Sequence, residues 1–267
     1  MNFDILQTTL LALIQGFTEF LPVSSSAHLI LPSALLGWDD QGLAFDVAVH
    51  LGTLLSVVLY FRRDLLNITR AVLTHLVQGK ASDDSRLGWH LILSSLPVLI
   101  AGFLLKDLLT GQLRSVSVLA TTTIIFGLLL WYADHRSKAD KLLPEMDWRI
   151  SLIIGMAQVV ALIPGASRSG ITMTAAMFCN MEREAAARFS FLLSIPVIAG
   201  AATLLLLDLL AETGVNWGQL LYALVLAGLT AYLCIHFFLK LVVRLGFLPF
   251  VIYRLLLGLV LLLFIAQ

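Results

Sequence analysis

Four stretches of this chain, residues 116–133, 187–207, 218–239 and 248–266, each run for close to twenty residues with hardly a charge among them. About twenty apolar residues in a helix cross the roughly 30 Å hydrocarbon layer of a bilayer, and that is longer than a soluble core needs. Two further segments, about 43–61 and 89–106, read the same way. Across all 267 residues, 59% are hydrophobic and 13% charged, against about 25% charged in a soluble domain. The chain is an integral membrane protein, and since each spanning segment must satisfy its own backbone polar groups, runs of this length select helices.

The remaining composition excludes more than it suggests. Formal net charge is zero, which argues for neither a nucleic-acid partner nor an acidic surface. Cys179 and Cys234 are the only cysteines; without paired spacing they imply neither a disulfide framework nor a thiolate metal site. The N-terminus has no basic leader, carries Asp4 and runs into Glu19 and Pro22 without a cleavage pattern, so it is expected to be retained.

Two segments do not fit as spans. Residues 3–21 form an apolar stretch halted at Pro22, and the following run, 27–37, gives only about 16 Å of helix. The pattern recurs with 150–163, halted at Pro164, and a short run at 171–181. Both read as re-entrant helix–loop–helix hairpins. The two halves also align, with Gln15 on Gln158, Pro22 on Pro164 and Phe45 on Phe189 at offsets of 143, 142 and 144, the order expected of an internal repeat. The expected fold is therefore an all-α polytopic membrane protein with six transmembrane helices and two hairpins. It is a single domain over 1–267, with repeats of about 1–135 and 148–267. One hairpin plus three spans makes an odd number of crossings, so the second copy is inverted, an arrangement that builds polar sites near the membrane midplane.

Charge tests this topology, because cytoplasmic loops are enriched in Lys and Arg. With both hairpins re-entrant, one face collects Arg62, Arg63, Arg70, Lys80, Arg86, Arg136, Lys138, Lys141, Arg149, Arg183, Arg188, Lys240 and Arg244. The other keeps Lys106 and Arg114, beside Asp39, Asp40, Asp208 and Glu212. The loops at 62–88 and 134–149 are thus cytoplasmic and both termini lie outside. Two basic residues belong to neither face: Arg168, within the second hairpin, and Arg254, about 10 Å along the last helix and placed to snorkel to the interface.

The chemistry gathers at the interruptions. Gln15 and Glu19 are four apart and share one helix face. Ser24, Ser25 and Ser26 are N-cap candidates for the helix beginning near Ala27, and His28 lies on its first turn. A hydroxyl, an imidazole and a carboxylate thus fall within ten residues. In the second interruption, Pro164 to Thr172, glycines expose the backbone at a helix start, where free amides and the dipole favour anions. Arg168 adds a fork that suits phosphate, and Ser167, Ser169, Gly170 and Thr172 supply further contacts. Arginine and amides on the equatorial oxygens with a hydroxyl attacking in line is phosphoryl-transfer chemistry. Glu19 with Gln15 offers hard oxygens for a divalent cation such as Mg²⁺, which binds through one or two carboxylates plus substrate phosphates. Asp46 and His50 share a face near the outer end of a span, while His90, His135 and His236 show no ligand spacing.

Together these residues resemble a known family. QGFTEFLPVSSSAH at 15–28 and PGASRSGIT at 164–172 are similar to the two signature motifs of the bacterial undecaprenyl-diphosphate phosphatases, the bacitracin-resistance membrane phosphatases, and the likeness extends through FDVAVHLGT, FSFLLSIP and FLPFVIYR. The resemblance implies hydrolysis of a C55 polyprenyl diphosphate to the monophosphate and inorganic phosphate, recycling a lipid carrier for cell-wall synthesis. It implies dependence on Mg²⁺ or Ca²⁺, residence in the bacterial inner membrane and a site open to the periplasm. It leaves a homodimer open. Glu19, Ser25, His28 and Arg168 become the catalytic residues by this carry-over, with Ser24, Ser26, Ser167, Ser169, Gly170 and Thr172 at the phosphate and Glu19 and Gln15 at the metal. Gln15 stands where Glu is frequent, and Ser26, Ala27 and His50 stand where Thr, Gly and Gln are expected. The rival reading is a transporter or flippase for an anion or lipid phosphate, since inverted repeats with broken helices also build carriers.

Overall fold

The computed structural model describes residues 4–105, 115–210 and 215–265, and the side chains of 206–210 lie outside that description. Eleven α-helices occupy the described residues: α1 (Ile5–Thr18), α2 (Ser25–Leu36), α3 (Gly42–Tyr60), α4 (Arg62–Gln78), α5 (Asp83–Leu104), α6 (Val116–Arg136), α7 (Trp148–Val160), α8 (Arg168–Phe178), α9 (Arg183–Leu210), α10 (Trp217–Leu245) and α11 (Leu248–Ile265). Six of them, α3, α5, α6, α9, α10 and α11, are long and apolar enough to cross a membrane. Lys106, Arg114 and Glu212, and the Asp208 side chain, fall outside the described residues.

Local chemistry sets the helix ends. Ser82 and Ser85 exchange side chain and backbone bonds at the start of α5, Asp147 takes the amides of Arg149 and Ile150 at the start of α7, and Asn216 caps α10. The segment expected as a loop at 62–88 is mostly helical. α4 buries Ile68 and lays Ile68 and Val72 against Gly88 of α5, while Leu66, Leu73 and Val77 on its far side are exposed.

The halves interlock rather than sit side by side. α1 packs on α10, and α7 packs on α5. Ser94 Oγ of α5 donates to the Ser151 carbonyl of α7 at 2.7 Å, and α3 meets α10 so closely that a Cβ at Gly52 would lie 2.2 Å from the Leu224 carbonyl. Beneath the first helix break, Phe20, Phe61, Phe191, Phe238 and Phe247 are all buried, with Phe20 edge-on to Phe191 at 5.2 Å. At the edge of this cluster Asp134 of α6 bonds Arg183 of α9 at 2.6 Å and the Phe247 amide at 3.2 Å, tying three helix ends together.

Candidate active site

The two helix breaks meet. Each ends in a serine with positive φ, Ser24 at 73° and Ser167 at 72°, and each serine hydroxyl lies 3.2 Å from that of the serine two residues on, Ser26 and Ser169. The caps are 143 residues apart, which pairs Ser25 with Arg168. That is one step from the register suggested by the prolines, because the second loop is one residue longer between proline and cap. The two caps differ in one respect. Ser167 accepts the Gly170 amide at 3.1 Å, whereas Ser24 makes no side chain cap bond, so the start of α2 keeps its anion-binding character.

Glu19 is the hub. It closes α1 and is 8% exposed; its Oε1 accepts from Arg168 at 2.9 Å, and its Oε2 from Gln15 Nε2 at 2.9 Å and from the Ser25 hydroxyl at 2.8 Å. Three donors on one carboxylate is the inventory of an ionised group, which only accepts. Arg168 is held on its other side by the Ser190 carbonyl at 3.0 Å, and Thr172 braces the same point of α9 by bonding Ser190 Oγ at 2.7 Å. Ser169 donates to the Leu21 carbonyl at 2.9 Å, a second tie between the loops.

Arg254 supplies a third. It does not snorkel: it is fully buried, its guanidinium donating to the carbonyls of Pro22, Thr122, Thr123, Gly165 and Ala166. Three of these five acceptors, Pro22, Gly165 and Ala166, are carbonyls freed where the helices break, since irregular backbone at membrane depth must find donors; the other two belong to α6.

Beside this cluster opens a cavity of about 530 Å³ whose polar end carries Glu19, Ser24, Ser25, Ser26, Ser167 and Arg168. Val197, Ile198, Ala201, Ala202 and Leu205, one face of α9, form its apolar wall.

A family model described as bacitracin resistance protein BacA matches residues 8–260. Undecaprenyl-diphosphatase 1 of Pseudoalteromonas translucida (strain TAC 125) is 56% identical over 263 residues, which cover 98% of this chain and 99% of that protein. The chain belongs to the BacA family.

In this BacA family member the residues singled out from sequence divide into those on the cavity and those behind it. Gln15, Ser169, Gly170 and Thr172 stand behind the wall, supporting Glu19, the loops and Arg168. His28 joins neither the carboxylate nor Ser25. Its Nδ1 lies 2.7 Å from the Ser24 carbonyl, its Nε2 is hydrogen-bonded to the Tyr253 hydroxyl, and its ring stacks on Tyr253. The histidine that does line the cavity is His50 of α3, with Nε2 at 3.7 Å from Glu19 Oε2. The sequence offered only its place four residues after Asp46; its nearness to Glu19 comes from how α3 packs on α1.

Proposed function

We propose that this chain is an integral-membrane phosphatase that converts undecaprenyl diphosphate to undecaprenyl phosphate and inorganic phosphate, returning the carrier lipid to cell-wall synthesis and so conferring bacitracin resistance. The observation that carries the reading is the Ser25–Glu19–Arg168 cluster at the polar end of a cavity whose other wall is apolar. A lipid diphosphate has the same two-part chemistry. Its head meets Arg168 and the uncapped amides of α2, and its first prenyl units lie along α9.

Ser25 Oγ attacks the terminal phosphorus, forming the Oγ–P bond as the bridging P–O bond breaks and the lipid monophosphate leaves with the electron pair. The hydroxyl proton passes to Glu19 Oε2, its existing partner. Water then attacks the phosphoserine, and the proton returns to Ser25 as phosphate departs. Arg168 neutralises charge on the phosphoryl oxygens, the role in which one lost donor costs about 10²–10³ in rate. His28 positions the Ser24 cap.

The donor set fits a divalent cation, Mg²⁺ or Ca²⁺. Glu19 lines the cavity, and Gln15 Oε1, behind the wall, is buried without a hydrogen-bond partner; a turn of the amide would add this hard oxygen, the kind such an ion takes. A bound cation would supply charge neutralisation at the diphosphate.

The same reading takes α1/α2 and α7/α8 as re-entrant hairpins of an inverted repeat. Each helix of these pairs has 11 to 14 residues, or about 16–21 Å, short of a bilayer, and the reciprocal packing of α1 on α10 and α7 on α5 supports the symmetry. Arg62, Arg136, Arg149, Arg183 and Arg244 all lie at or beside helix ends, and Asp134–Arg183, Asp134–Phe247 and Asp64–Arg188 contacts draw the ends of α6, α9 and α10 and the start of α4 together, which supports a cytoplasmic location for that side and a periplasmic opening for the cavity.

Phosphate release from farnesyl diphosphate by the purified protein in detergent tests the reading, with mass spectrometry for phosphate on Ser25. Ser25→Ala should lose at least about a thousandfold. A nearly active Ser25→Ala overturns the nucleophile assignment, and a wild type that moves lipid phosphate across vesicles without releasing phosphate overturns the phosphatase in favour of a carrier.

A further inference from the structure

His50 lines the cavity beside Glu19, and the mechanism gives it no role. Its Nδ1 lies 2.7 Å from the Asp46 carbonyl, a bond that only a protonated Nδ1 can make. In the neutral ring that fixes the lone pair on Nε2, and Nε2 is the atom that faces Glu19 Oε2. A histidine whose far nitrogen donates to a backbone carbonyl while its near nitrogen points bare at a carboxylate has the arrangement by which metal-binding histidines are oriented.

At 3.7 Å the two atoms are too far apart for a hydrogen bond, and a closing movement of about 0.7 Å brings them to the roughly 3.0 Å that separates adjacent donors on one cation. Charge points the same way. Position 15 carries an amide rather than a second carboxylate, and Glu19 already faces Arg168, so the imidazole is an additional donor at a site with a single carboxylate. Among the described residues no third His, Cys, Asp or Glu completes a cage, which leaves coordination positions for the substrate's phosphate oxygens.

We propose that His50 Nε2 is a direct ligand of the divalent cation at Glu19, giving this chain a mixed nitrogen and oxygen site that favours Mn²⁺ over Mg²⁺ or Ca²⁺. Imidazole suits the transition metals whereas carboxylate and carbonyl oxygens suit Mg²⁺, Ca²⁺ and Mn²⁺ alike. Removing the imidazole therefore narrows the preference rather than abolishing binding. The inference rests on the cation assignment in the phosphatase reading, yet it is a statement about coordination that can be tested apart from turnover.

The experiment is pulsed electron paramagnetic resonance on the full-length protein in detergent, loaded with Mn²⁺ and methylenediphosphonate, for wild type, His50→Gln and His28→Gln. Wild type and His28→Gln should show the nitrogen coupling of a directly bound imidazole, and His50→Gln should lose it. Mn²⁺ affinity of His50→Gln should fall about tenfold while Mg²⁺ affinity changes less, with thermal unfolding checking that each variant is folded. No nitrogen coupling in wild type, coupling that survives in His50→Gln, or coupling lost only in His28→Gln overturns the proposal. Phosphate release by a wild type without nitrogen coupling would sink the His50 ligand and leave the phosphatase standing. Coupling in a protein that releases no phosphate would do the reverse.

Discussion

Replacing Arg254 by Met keeps much of the side chain's length and removes the cation that ties both loops to α6 and α11. Five carbonyls lose their donor: Pro22 in the first loop, Gly165 and Ala166 in the second, Thr122 and Thr123 in α6. In membrane proteins a side chain hydrogen bond is worth about 0.6 kcal/mol on average, so five acceptors come to about 3 kcal/mol. Arg254→Lys should fall between, since an ammonium has three donors for five acceptors and cannot bridge the two loops as a planar fork does. Detergent-driven unfolding followed by tryptophan fluorescence reads the stability, and phosphate release reads the site. If the loops drift by about 1 Å, turnover falls about a hundredfold. An Arg254→Met protein that loses less than 1 kcal/mol and turns over within about threefold of wild type would falsify the view that this arginine joins the loops.

Arg168→Lys keeps a charge but cannot hold Glu19 and the Ser190 carbonyl together as a fork, so kcat should fall about 10²–10³-fold in the same phosphate-release assay; a rise in KM with kcat unchanged would contradict its place in the transition state. Gly165→Ala places a Cβ 2.2 Å from Thr122 Oγ1 and 3.0 Å from the Leu119 carbonyl, at a φ of +87°, and should cost about 3 kcal/mol by the unfolding measurement, where a neutral result would mean the loop is not packed on α6. Asp147 lies outside the spanning segments, and the Ile150 and Arg149 amides hold its carboxyl below the ordinary value of 3.8. Its contribution is therefore complete above that pH and lost as pH falls further. Asp147→Ala should cost about 1 kcal/mol near neutrality, and wild type and variant should converge in acid. A gap that persists there points to packing instead.

The spans were legible because burial in lipid demands uninterrupted apolar length, and the two breaks because Pro22 and Pro164 end apolar helices beside serines. α4 was hidden by its arginines and Asp64, which interrupt the apolar run although Leu65, Ile68 and Val72 recur at helical spacing. Of the three offsets read between the halves, the 143 of Gln15 and Gln158 equals the spacing of the serine caps at 24 and 167, while the prolines differ by one because the second loop is one residue longer. Glu19, Ser25 and Arg168 could be read from local spacing and chemical type. Arg254 and His50 could not. What buries the one is a set of carbonyls from three separate segments, and what recruits the other is the packing of α3 against α1, both properties of the assembled fold.

Arg254 also dates the site within the life of the chain. Every acceptor it holds precedes it in the sequence, and the helix that carries it follows all other described helices. Eighty-six residues separate it from Arg168, so at about 5–20 residues per second of synthesis the two loops exist for several seconds before the side chain that binds them together is made. Assembly of the pocket is thereby deferred to the insertion of α11, and a nascent chain halted before residue 254 would hold Ser25, Glu19 and Arg168 without the means to lock the two loops against each other.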